Sequence, residues 1–268
     1  MKIKKYTRKS HQFNEDRYLV HKDVIMVMDG ATALEKSSLK PTSGSFLVNK
    51  IKKDLPKEKG TIIERLDSIS KKLYKMLEKS NTVSEKMLPS CGLSWVEFDN
   101  EYVIIHTIGD CEAFIAKKDG STKRIIINDL IELDNKSISE LIKISKEQKI
   151  SVKNARSKID NILIKHRLMM NKNDGYSIFT PSSNPNFEYS THVFKKDEIK
   201  DIYLYSDRFA DAFTTFKLYK SAEDLFSKNR NLTKVIEKIV KKANQDKEYN
   251  KYPRFKMIDD ITIVKITF

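Results

Sequence analysis

The sequence predicts an α+β chain in which strands form the frame and helices cover it. Three observations carry that expectation. The apolar run Val24-Ile25-Met26-Val27-Met28 stops abruptly on Asp29-Gly30, as a buried strand does where it meets a turn. Strand-like segments follow one another at 93–98, 102–108 and 112–116, with turn residues between or after them. Two stretches, from Phe46 to Leu55 and from 61 to 79, place apolar residues at helical spacing; the second is lysine-rich on its other side.

Taken in order, the polar and acidic stretch His11-Gln12-Phe13-Asn14-Glu15-Asp16-Arg17 leads into Tyr18-Leu19-Val20, and His21-Lys22-Asp23 connects this to the run at 24–28. These segments form a hairpin. In an antiparallel pair the start of one strand lies beside the end of its neighbour, so Glu15, Asp16 and Asp29 converge on one edge. The two helical patterns that follow read as core cover and carry no chemistry. Pro89-Ser90-Cys91-Gly92 separates them from the strands, and a short strand is expected at 123–128 after Lys118-Asp119-Gly120. From about 134 to 170 the pattern is helical again. A return to strand is expected at 174–179, then a turn-rich loop around Asn184-Pro185-Asn186. The strand Ile202-Tyr203-Leu204-Tyr205 ends on Ser206-Asp207, and a helix beginning there would put Asp207 and Asp211 on one face. Helical patterns at 222–226 and 232–243 precede a terminal strand that opens on Asp259-Asp260.

Composition narrows the function classes. The chain has 268 residues, 39% hydrophobic and 33% charged, which suits a folded domain with a heavily charged surface. No apolar run approaches the ~20 residues of a membrane span, and the basic N-terminus lacks the apolar core of a signal peptide. Cys91 and Cys111 have no CxxC spacing, so neither a disulfide framework nor a cysteine zinc site is expected, and a reducing cytoplasm is the natural compartment. The net charge of +14 raises nucleic acid as a partner. The lysines are spread along the chain, however, without an aromatic RNA-reading motif, so no nucleic-acid groove is predicted.

The chemistry lies in the carboxylates. Asp29, Asp207 and Asp259 each stand where an apolar strand meets a loop. Asp110 does so at the Gly109-Asp110-Cys111 corner, and Glu15 and Asp16 stand at the start of a strand. Gathered on one rim they would repel unless a cation neutralised them. All-oxygen ligands suit Mg²⁺ or Mn²⁺. Two such ions about 3.5–4 Å apart activate water for in-line attack on phosphorus. A Gly-x-Ser-x-Gly nucleophile elbow, a cysteine phosphate loop and a P-loop are all absent from the sequence.

Asn14-Glu15-Asp16-Arg17, Met28-Asp29-Gly30, Gly109-Asp110-Cys111, Ser206-Asp207-x-x-x-Asp211 and Asp259-Asp260-Ile261-Thr262-Ile263 together resemble the ordered motifs of the PPM/PP2C family of metal-dependent protein serine/threonine phosphatases. The resemblance spans roughly residues 8–268. It implies a four-layer αββα sandwich of two antiparallel sheets flanked by helices. It also implies one phosphatase domain over 1–268 with a helical, flap-like insertion at about 131–172. The implied activity is hydrolysis of phosphoserine and phosphothreonine in a phosphorylated protein substrate, by direct attack of a water held by two Mn²⁺ or Mg²⁺ ions. By resemblance, Asp29 bridges the two metals and the Gly30 carbonyl binds one of them. Glu15, Asp207 and Asp259 hold the other directly or through water, and Asp16 orients metal-bound water. Asp110 and Asp211 match acids that bind a third ion in some bacterial relatives.

Three positions depart from the family pattern. His11 stands where an arginine often grips phosphate, and it or Arg8 is the candidate to replace that arginine. Arg208 replaces a glycine after Asp207. Ala31-Thr32-Ala33 follows Asp29-Gly30 in place of a His-Gly sequence. His11 and Arg208 keep open an alternative, a non-catalytic PP2C-like module that senses or binds a partner.

Overall fold

The apolar run at 24–28 is unbroken because both faces of its strand are covered. The computed structural model describes residues 1–35, 38–81, 83–228 and 231–268. The chain begins with β1 (Lys2–Arg8), β2 (Asp16–Val20) and β3 (Val24–Ala31), followed by α1 (Ser43–Asp54) and α2 (Ile62–Lys79). Next come β4 (Ser90–Phe98), β5 (Tyr102–Ile108), β6 (Glu112–Lys117) and β7 (Thr122–Ile125). Helices α3 (Asn128–Gln148), α4 (Val152–Ala155) and α5 (Asp160–Arg167) lead to β8 (Ser190–Lys195) and β9 (Ile199–Tyr205). The one-turn α6 (Asp207–Ala210), then α7 (Ala222–Lys228), α8 (Leu232–Gln245) and β10 (Ile261–Thr267) complete it.

Two five-stranded sheets result, ordered β1-β10-β9-β6-β7 and β2-β3-β4-β5-β8, with every pairing antiparallel. Ile25, Val27, Val96 and Ile105 of one sheet meet Ala113, Ile115, Leu204 and Val264 of the other in a central core. On the outer face of the second sheet, Met26, Met28 and Trp95 pack under Leu47 and Ile51 of α1 and Leu66, Ile69 and Leu73 of α2. Phe114, Tyr203 and Ile263 of the first sheet pack under Leu225 and Phe226 of α7 and Val235 and Ile239 of α8. This is a four-layer αββα sandwich. An antiparallel sheet open to water on one face alternates polar and apolar residues; sheets covered on both faces read as continuous apolar runs.

The covering helices have local reasons to form. Thr42 caps α1, its hydroxyl accepting from the Ser45 amide at 3.1 Å. Thr61 and Glu64 make a reciprocal capping box at the start of α2. The buried residues Leu232, Val235, Ile236, Ile239 and Ala243 keep one face of α8 toward the sheet. The helices α3 and α4 and the turn before α5 share a small cluster of Leu141, Val152, Ala155 and Ile159 with Tyr249, against which Ile162 and Leu163 of α5 pack. Phe255 and Met257, in the loop that leads to Asp259, pack against it. Among the described residues, no helix is long and apolar enough to cross a membrane.

Several local expectations are corrected. Residues 174–179 do not form a strand. Only isolated bridges occur, Met170 with Tyr176 and Cys91 with Phe179. The register explains this. Pairing of β4 with β5 begins at Leu93, so Cys91 has one open edge, which Phe179 closes with two backbone hydrogen bonds of 2.8 and 3.2 Å. Pro181 then has no amide to continue a ladder. The strand expected to run to 128 ends at Ile125, and α3 begins at Asn128, before the expected 134. Ser90-Cys91-Gly92 belongs to β4 instead of to a break before it. The strands β1 and β8 carry no strong apolar pattern because both are sheet edges, half exposed and rich in polar residues.

Candidate functional site

The site lies where inward-facing residues of both sheets reach the same rim. Side chains alternate along a strand, so Asp29 continues the inward series of Ile25 and Val27. Asp16 is its direct partner in the β2–β3 register, so the two carboxylates share one face. From the other sheet, Ser206 continues the inward series of Ile202 and Leu204 beyond the end of β9. Its hydroxyl donates to Asp16 Oδ2 at 2.8 Å and accepts from the Thr262 amide at 3.0 Å. Ser206 thus stitches the two sheets together beneath the cluster.

Asp29, Asp110 and Asp207 each place a carboxylate oxygen within 4.8 Å of the others. Asp110 reaches them because Gly109 takes a positive φ of 71° that an L side chain rarely adopts, turning the chain sharply after β5. Asp207 opens α6, and Asp259 stands before β10. Burial pushes the Asp29 carboxyl well above its usual range, and Asp16, Asp207, Asp110 and Asp259 push it further. Burial also raises Asp16, with Asp260 and Asp207 adding to the effect against a hydrogen bond from Ser206. Asp110 is raised to about 7, by burial and then by Asp207 and Asp134. Asp134, from α3, is raised to about 6 by burial. Burial also pushes at Asp259, but Lys256 and Arg208 outweigh it and hold that carboxyl below its usual value.

Other residues frame this centre. Glu15 Oε1 accepts from Thr32 Oγ1 at 2.5 Å and from Thr42 Oγ1. The Glu15 amide donates to Asp260 Oδ2 at 2.6 Å, and Asp260 Oδ1 takes the Ser10 amide at 2.7 Å, tying the 10–15 loop to the other sheet. Gly30 is required by crowding: a Cβ there would lie 2.8 Å from the Glu15 carbonyl oxygen and 2.9 Å from that of Gly44. Gly30→Ala is therefore expected to lower stability by about 1–3 kcal/mol, read as a reduced urea midpoint. Asp211 caps α6, its Oδ1 accepting from Thr215 Oγ1 at 2.5 Å and its Oδ2 lying 3.7 Å from Arg208 Nη1. Arg208 Nη2 is 3.1 Å from Asp207 Oδ2. His11 Nε2 is 3.7 Å from Asp259 Oδ1, and Lys256 Nζ is 2.6 Å from its Oδ2. Both basic groups line a cavity of about 230 Å³ with Phe13, Glu15 and Thr42. Arg8 lines a different cavity beside α8, with Glu237 and Lys241.

Sequence reasoning missed Asp134, Ser206, Asp260, Lys256 and Arg167. Arg167, at the end of α5, donates from Nη2 to the Ala31 carbonyl at 3.2 Å. The doubled acid at 259–260 was a usable signal for Asp260; a mid-helix aspartate and a lone arginine offered none.

The crowded, raised carboxylates predict how the metal-free protein responds to pH. Between the ordinary aspartate range and the raised values, the folded state binds more protons than the unfolded chain, so stability falls as pH rises. For Asp110 and Asp134 this window runs from about 4 to about 7. His166 and His192, both lowered by burial, act in the opposite sense near neutrality. The comparison with Asp110→Asn isolates the effect. Metal-free wild type is expected to lose on the order of a few kcal/mol more than the variant between pH 5 and 7.5, measured by urea titration. Saturating Mn²⁺ should flatten the wild-type curve.

Two antiparallel five-stranded sheets between helical layers match the fold of the PP2C-type serine/threonine phosphatases. The chain superposes on the serine/threonine phosphatase Stp1 from Staphylococcus aureus with a TM-score of 0.56 and 11% identity, over 99% of this chain and 94% of that one. The catalytic domain of Mycobacterium tuberculosis PstP in complex with two manganese ions gives 0.52 and 12%, covering 98% and 96%. PppA, a key regulatory component of the type VI secretion system in Pseudomonas aeruginosa, gives 0.56 and 12%, covering 100% and 97%. No protein-family model matches the chain, and no characterised protein matches it by sequence.

Proposed function

We propose that the chain is a metal-dependent phosphoprotein phosphatase acting on phosphoserine and phosphothreonine. The observation that supports this most directly is the Asp29–Asp110–Asp207 cluster at the rim of a PP2C-type sandwich. Three mutually close carboxylates, with Asp29 and Asp110 driven toward protonation, form a donor set that a hard divalent cation would relieve. The residues therefore fit Mn²⁺ or Mg²⁺. Asp29, Asp207 and Asp259, with the Gly30 carbonyl and Glu15 beside them, would hold two ions that activate water and neutralise phosphate charge.

The remaining roles belong to the chain itself. Asp16, fixed by Ser206, stands next to Asp29 and would accept a hydrogen bond from the attacking water. His11 and Lys256 line the 230 Å³ cavity beside Asp259, where they would meet a phosphate monoester once bound cations balance Glu15, Asp259 and Asp260. Thr32 and Thr42 orient Glu15, and Asp260 anchors the loop that carries it. In this reading residues 1–268 act as one catalytic domain, the helices within 131–172 serve as a flap, and Arg167 docks them on the strand end that carries Asp29. Two buried, unpaired cysteines suit work in the cytoplasm.

The test is release of phosphate from a phosphothreonine peptide and from an aryl phosphate, with and without Mn²⁺. Activity should require the metal and be lost in Asp207→Asn; metal-independent turnover that survives this substitution would refute the assignment. One observation favours the alternative of a non-catalytic module: Arg208 already pairs with Asp207. Calorimetry separates the two, because a site surrendered to arginine would take up no Mn²⁺.

A further inference from the structure

Arg208 sits inside the acidic cluster instead of beside it. Its two terminal nitrogens reach different carboxylates, Asp207 Oδ2 at 3.1 Å and Asp211 Oδ2 at 3.7 Å, and only 26% of the side chain is exposed. Asp259 and Asp134 lie close enough to act on the same charge. One guanidinium thus bridges two carboxylates, one at the start of α6 and one just past its end, with two more acids near enough to feel its charge. Both oxygens of Asp211 are engaged: Oδ1 takes the Thr215 hydroxyl and Oδ2 faces Arg208. Asp207 is the residue common to both halves of the cluster: it approaches Asp29 and Asp110, and it pairs with Arg208.

A divalent ion lodged between Asp207 and Asp211 would have to displace these contacts and share its ligands with a fixed cation. Like charges in a partly dry site repel strongly. A guanidinium suits the position, because it stays charged at any physiological pH and presents a planar fork to two carboxylates at once. We propose that Arg208 is a built-in cation that takes the place of a third divalent ion, leaving the cluster with sites for two. This inference rests on the phosphatase reading above, which supplies the two ions.

The experiment counts metal directly. Wild type, Arg208→Gly and Arg208→Gln are dialysed to equilibrium against millimolar Mn²⁺, and protein-bound manganese is measured by mass spectrometry, with folding checked by circular dichroism. Wild type should hold two ions per chain. Both variants should hold three, the third binding at least about tenfold more tightly than any third ion on wild type. The glutamine variant keeps most of the side-chain volume and carries the test if the glycine variant does not fold. Three ions on wild type, or two on every protein, would overturn the role given to Arg208 and leave the phosphatase reading intact. No ions on wild type would overturn that reading, and this inference with it.

Discussion

Asp29→Asn is expected to lower Mn²⁺-dependent hydrolysis by at least about 10²–10³-fold while raising the melting temperature of the metal-free protein. The two effects have one cause. Asp29 is the centre of the cluster, with the carboxylates of Asp16, Asp110, Asp207 and Asp259 all acting on it. Without a metal, ionising it is opposed by burial and by four like charges, so a neutral amide of the same shape relieves the fold. In the metal-loaded enzyme proposed above, the same charge would help to hold the ion. The pairing of lost activity with gained apo-stability is what a purely structural aspartate would not show. A variant that stays active, or one that loses activity and melts lower without metal, would contradict the role assigned to Asp29. A thermal scan of both proteins in chelator, beside a phosphatase assay in Mn²⁺, decides it.

Arg254→Ala is expected to destabilise the protein by about 3–5 kcal/mol, since it strips the partner from a buried charge. At this chain length that corresponds to a melting temperature lower by roughly 10 °C. Arg254 is 4% exposed and contacts five oxygens. Nη1 bonds Asp246 Oδ2 at 2.9 Å and the Tyr252 carbonyl at 2.7 Å. Nη2 bonds the carbonyls of Ala243 at 3.0 Å and Asp246 at 2.7 Å, at the end of α8. Nε bonds the Met257 carbonyl at 3.1 Å, two residues before Asp259. The same side chain therefore closes a helix and shapes the loop that delivers a carboxylate to the rim. Its loss should weaken Mn²⁺ binding as well as stability, measurable by calorimetry below the melting transition. Arg254→Lys should remain well below wild type, because one ammonium cannot reach acceptors spread around a planar fork. Wild-type stability in either variant would remove Arg254 from this account.

The frame was legible in the sequence where burial left a strong period. The run at 24–28, the segments at 93–116 and the helical faces of α2 and α8 are dictated by apolar spacing. The edge strands β1 and β8 were not, because an edge pairs on one side only and tolerates lysine and serine where a central strand cannot. The bridge at Phe179 was not legible as a bridge either: its partner, Cys91, is exposed on one edge only because β4 overruns β5, a fact of register.

By itself the sequence determined the acidic corners. Asp29, Asp110, Asp207 and Asp259 each follow or precede an apolar strand, and that local signal survives without any knowledge of the fold. Only the tertiary structure decided which of them meet and what else meets them. Asp16 faces Asp29 because of hairpin register, Ser206 joins them because two sheets stack, and Glu15 is engaged by threonines that follow β3 and precede α1. Arg208, which in the sequence is a departure beside Asp207, becomes in space a cation that bridges Asp207 and Asp211. The reason is physical: strand ends are set by local hydrophobic patterning, whereas the charge balance of a rim depends on groups more than a hundred residues apart in the chain.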